Sequence, residues 1–101
     1  MKSSEITSKQ SDFGAVIIDV INERKRQDEK WGGSKIDDQR NRPFDWCLII
    51  QDYASLARTM ARLDSSEKYR KRMVQIAALA VAAVESHDRL IERGKSEKEA
   101  Q

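Results

Sequence analysis

Apolar residues recur at helical spacing in three separate stretches of this chain, and one glycine- and proline-bearing segment is the main interruption. In the first stretch Phe13, Val16, Ile17, Val20 and Ile21 fall at i, i+3, i+4, i+7 and i+8, which puts one apolar stripe on a helix. Asp12 stands where an N-cap is expected. The pattern turns wholly charged from Glu23 to Lys30, and Gly32 and Gly33 predict a helix end near Lys30. In the second, Asp45 offers a cap to a helix carrying Trp46, Ile49, Ile50, Tyr53, Ala57 and Met60, running to about Leu63. Ser65 or Ser66 caps the third, Glu67 suits its first turn, and Tyr69, Met73, Ile76, Ala77, Ala80, Val84 and Ile91 make its stripe. Ala78, Ala82 and Ala83 allow neighbouring helices to approach closely, and Gly94 is expected to end this helix. The expected fold is therefore all-α, with three principal helices forming a hairpin or bundle.

Residues 31–44, WGGSKIDDQRNRPF, hold the single proline and two of the four glycines, and Asp37, Asp38 and Asn41 add to their turn character. A loop this long is uncommon in a compact domain unless it is functional or packs through its own side chains. Trp31, Ile36 and Phe44 can supply such packing, and Trp31 is also a candidate ligand contact. Residues 1–11 are polar apart from Ile6 and read as a disordered tail; residues 12–94 read as one helical domain, and 95–101 as a charged C-terminal tail. With 101 residues, the chain has room for one modest core, and burial of leftover apolar surface against a second copy is expected, giving a dimer or tetramer.

Nineteen basic and seventeen acidic residues leave a formal charge of +2, far from the basic balance of a typical nucleic-acid binder. The single cysteine, Cys47, permits no internal disulfide, and its neighbours Trp46, Leu48 and Ile49 suggest a buried thiol. No signal-like apolar segment opens the sequence, and no stretch approaches the roughly 18 apolar residues of a membrane span. A cytoplasmic protein without a membrane partner is the expectation.

One cysteine and one histidine cannot supply the usual ligands of a zinc site or a Cys–His catalytic pair, and no glycine-rich phosphate loop is present. Glu85 and Asp88 lie three apart on one helical face, as a divalent-cation site requires; the same Glu85 is also spaced to pair with Arg89 at i, i+4. His87 has the setting of an exposed, helix-end histidine.

The blocks ERKRQDEKWGG at 23–33, DD at 37–38, YASLA at 53–57 and YRKRMVQIAALAVAAVESHDR at 69–89 together resemble small phage and prophage proteins related to the MazG-like nucleoside triphosphate pyrophosphohydrolases. The resemblance spans about residues 13–93. It implies an all-α fold and a site in which Glu-Glu-x-x-Glu on one helix and Glu-x-x-Asp on the next hold Mg²⁺ against a triphosphate. Laid on this chain, the first motif falls on Gln51, Asp52 and Ser55 and the second on Arg72 and Gln75, so Asp52 alone keeps a carboxylate. A fixed cation at Arg72 stands where a metal ligand is needed. The resemblance thus implies a protein that binds a nucleotide or nucleotide-derived signal without hydrolysis and without a cofactor. Its candidate contacts are Asp52, Arg70, Arg72, Gln75, Gln51 and Trp31, with Lys71 nearby, and an Asp52–Arg72 salt bridge filling the former metal site. Two alternatives stand beside it: an Mg²⁺-dependent pyrophosphohydrolase with a rearranged site, and a helical module that binds or inhibits a host protein.

Overall fold

The computed structural model describes the chain's side chains over residues 12–99. It contains four helices: α1 (Lys2–Trp31), α2 (Gly33–Arg40), α3 (Pro43–Arg62) and α4 (Ser66–Ala100), with no strand among the described residues. The all-α class is observed, with four helices in place of three. The backbone of α1 takes in residues 2–11, where a tail is expected, and Asp12 lies inside the helix instead of capping it. No helix is long and apolar enough to cross a membrane, among those described.

The added element is α2, which occupies the segment expected to be a loop. Its entry depends on glycine: Gly32 (φ 98°) and Gly33 (φ 82°) both take left-handed backbone, so α1 stops and the chain turns within two residues. A Cβ on Gly32 would meet Ile36 Cγ1 at 2.9 Å, so the turn is closed sterically as well. Pro43 occupies the first turn of α3, where its missing N–H is harmless. Asp45 sits three residues inside that helix instead of capping it, and its carboxylate accepts the Arg42 backbone N–H at 2.8 Å. Gly94 does not end α4, which continues to Ala100.

All the other helices pack on α4: α3 as its hairpin partner, α1 along another side, and α2 at its C-terminal half. The core forms where α3 meets α4, as Trp46, Leu79 and Ala82 packed with Trp31, Ile49, Ile50 and Tyr53. The α3 stripe faces inward as its periodicity predicts. The α4 stripe does not: the buried positions are Gln75, Ala78, Leu79, Ala82 and Ser86, whereas Met73, Ala80, Val84 and Ile91 are exposed. Both sets have helical spacing, so periodicity alone could not rank them; the inner set consists mostly of small side chains, which lets α1 and α3 approach. On α1 only Val20 of the expected stripe is partly covered, while Val16, Ile17 and Ile21 are 43–48% exposed. Cys47 is exposed, contrary to expectation, because it lies one residue, about 100°, around α3 from the buried Trp46.

Leu79 is fully buried in a core with few large side chains. Leu79→Ala is therefore expected to lower unfolding free energy by about 2–5 kcal/mol, read as a reduced urea midpoint with an unchanged slope.

Candidate functional site

The residues expected to form one basic pocket are distributed over different faces. Gln51 and Asp52 are exposed on α3. Arg72 donates to Gln75 Oε1 at 3.1 Å and lies 6.0 Å from the centroid of the Tyr53 ring, so its partners are an amide and an aromatic face instead of Asp52. Gln75 is buried, and its backbone carbonyl accepts from Gln27 Nε2 at 3.3 Å, tying α1 to α4. Arg70 turns the other way, about 200° around the helix from Arg72, and binds Asp19 at 2.8 Å. It lines an α1–α4 cleft of about 620 Å³ in which Asp19, Glu23 and Glu67 offset Arg26, Lys68 and Lys71. The groove between α3 and α4 that Pro43, Cys47, Ile50 and Val84 line is apolar and measures about 260 Å³.

Polar groups converge elsewhere, where α2 crosses α1 and α4. The Asp38 side chain, 5% exposed, accepts Nε and Nη2 of Arg89 at 2.7 and 2.9 Å and Ser86 Oγ at 2.7 Å, with Arg93 at 3.9 Å. Two parallel bonds from one guanidinium are the strong geometry for this pair. Arg24 joins α1 to the same region by bonds to Asp28 at 2.9 Å and to Glu85 at 2.9 and 3.1 Å. Glu85 therefore pairs with Arg24 instead of Arg89, and Asp88 lies exposed beside His87. Among the described residues no group of three or more His, Cys, Asp or Glu side chains is arranged to hold a metal ion.

Asp37 and Asp38 are neighbours in sequence and opposites in electrostatics. Bonds from Arg89 hold the Asp38 carboxyl below the ordinary carboxylate range. Burial pushes Asp37 upward, and the nearby Asp28 carboxylate adds to the rise. Asp37 is 7% exposed and lines a pocket of about 220 Å³. Trp31, Trp46, Ile49 and Leu79 line it as well, with Arg40 and Asn41 from the end of α2. The buried Trp46 indole N–H has no hydrogen-bond partner.

Of the six candidate residues, only Trp31 belongs to this pocket. Asp37, Arg40, Asn41 and Trp46 were not singled out by the sequence; the signal available was the unusual length of segment 31–44 and its acid pair. No protein-family model matches the chain, and comparison with curated proteins and with solved structures gives no match.

The two carboxylates predict opposite pH effects. Asp38, held low in the fold, stabilises above its unfolded pKa of about 3.9, and that stability is lost as pH falls through the folded value. Asp38→Asn is expected to cost about 2 kcal/mol at pH 7, discounted because Arg89 is one-third exposed, with the deficit shrinking in acid. Asp37, raised in the fold, favours folding below its unfolded pKa and loses that contribution as pH rises through the folded value. Asp37→Asn is accordingly expected to match or exceed wild-type stability at pH 7. Urea denaturation of both variants from pH 3.5 to 7.5 checks the two signs; a common pH slope would refute the assignment.

Proposed function

We propose that this chain binds a nucleotide without hydrolysing it, seating the base against Trp31 in the pocket beside α2. The observation that carries the reading is a pocket lined by two tryptophans and one buried carboxyl. A planar, hydrogen-bonding ring suits those groups: indole faces stack on any base at about 1–3 kcal/mol, and Asp37 with Asn41 offers acceptors and donors for a base edge. Burial, with the Asp28 carboxylate nearby, holds the Asp37 carboxyl above the ordinary carboxylate range, which favours its protonated form more than in an exposed aspartate. Arg40, exposed at the same end of α2, is the group suited to phosphate oxygens.

The resemblance to MazG-like proteins supports a nucleotide as the ligand class and a cytoplasmic, phage-type setting. It also supports binding without turnover, because the motif-aligned positions hold Gln51, Ser55, Arg72 and Gln75, and Arg72 is committed to Gln75 and Tyr53. The proposed contacts move from Asp52, Arg70, Arg72, Gln75 and Gln51 to Trp31, Trp46, Asp37, Asn41 and Arg40.

Calorimetric titration with purine and pyrimidine mono- and triphosphates tests the proposal. Saturable binding of at least one is expected, weakened about tenfold or more by Trp31→Ala, whereas Arg40→Ala should weaken the nucleotide more than its nucleoside. Chromatography after incubation with millimolar Mg²⁺ should recover the nucleotide intact. Absence of binding at millimolar nucleotide refutes the pocket, and Mg²⁺-dependent release of pyrophosphate replaces the binder with the enzyme.

A further inference from the structure

The outward face of α4 carries a regular repeat, apolar except for His87, that the fold leaves exposed except at the half-buried Ala77. Met73, Ala77, Ala80, Val84, His87 and Ile91 are spaced 4, 3, 4, 3 and 4 residues apart, which is the a/d alternation of a coiled-coil seam about 27 Å long. Met73, Val84 and Ile91 are 42, 60 and 48% exposed, and Ala80 and His87 are exposed too. Val81 beside the seam is 43% exposed, and Ile17 and Ile21 of α1 adjoin it across a shallow groove.

From this pattern we infer that α4 pairs with α4 of a second copy, antiparallel, about a two-fold axis near Val81. The seam is complementary to itself in that direction. Reversing it sets Met73 against Ile91, Ala77 against His87 and Ala80 against Val84 of the second copy, so each central layer joins a small residue to a larger one. Parallel, in-register pairing instead sets Ala77 on Ala77 and Ala80 on Ala80, leaving gaps beside bulky layers. Opposed helix dipoles favour the reversed order. Ile17 and Ile21 lie beside the axis, so α1 flanks the contact and α4 forms its centre. The indole pocket is lined by a different set of residues and does not depend on this surface.

Sedimentation equilibrium from 1 to 200 µM tests the pairing, with twice the 11.6 kDa chain mass expected at the upper end. Val84→Glu, at an exposed position, should keep the helical circular dichroism and raise the dimer Kd more than about tenfold. Direction is read by oxidation in a Cys47→Ser background: a mixture of A80C and V84C chains should cross-link to each other, and neither alone should, because a disulfide requires Cα atoms within about 7 Å. Monomer throughout the concentration range, a dimer indifferent to Val84→Glu, or A80C chains that cross-link to themselves would overturn the proposal.

Discussion

The bidentate bond between Arg89 and Asp38 is the shortest ionic contact that fixes α2 to the long helix, with Arg93 at 3.9 Å from the same carboxylate. An eight-residue helix has too few internal bonds to persist alone, so its existence depends on docking. The Asp38 carboxylate is nearly buried, and an ion taken out of water is tolerated only with its acceptor sites filled; Arg89 and Ser86 fill them. Gly32 and Gly33 then make the return from α1 sterically possible. Trp31, Arg40 and Asn41 are placed by these two devices together, one at each edge of the α2 turn, and so is the pocket against Trp46.

That dependence explains how the acid pair divides its work. Alternate positions around a helix turn put Asp38 toward Arg89 and leave Asp37 on the pocket side, where Arg24 and Arg89 only partly offset burial and the Asp28 charge. One carboxylate anchors because its charge is fully matched. The other is held above the ordinary carboxylate range because burial outweighs the cations near it. The pocket therefore depends on the docking of α2: anything that loosens Asp38 also displaces Asp37, Arg40 and Asn41.

Local rules made much of the helix pattern legible. The inward stripe on α3 from Trp46 to Met60, the stop near Lys30 and the start at Ser66 all follow from spacing, glycine and caps, and they recur in the structure. What escaped depends on partners distant in sequence. Nothing local distinguishes KIDD as a helix until Ser86 and Arg89, some 50 residues later, receive Asp38. The motif alignment likewise grouped Arg70 with Arg72 by proximity in sequence, although a helix sends residues two apart to nearly opposite faces. The pocket was missed for the same reason: its two tryptophans come from different helices, and α2 brings Asp37 and Arg40 to the same pocket.

The ambiguity on α4 has a different origin. A helix that is apolar on two faces gives no single direction to a periodic reading, and both of the α4 sets repeat every three or four residues. Volume separates them. Ala78, Ala82 and Ser86 are small enough for α1 and α3 to close around Leu79, whereas Met73, Val84 and Ile91 would hold those helices apart. The larger set is thus excluded from the inner contact by its own bulk and remains on a surface where water gains nothing from it. With the shortest dimension of the molecule only 20 Å, about two helix diameters, no further element of the described chain lies over that face. A second apolar face on the helix that organises the fold is then a consequence of side-chain size: short side chains admit α1 and α3, and the longer ones are left on the opposite side.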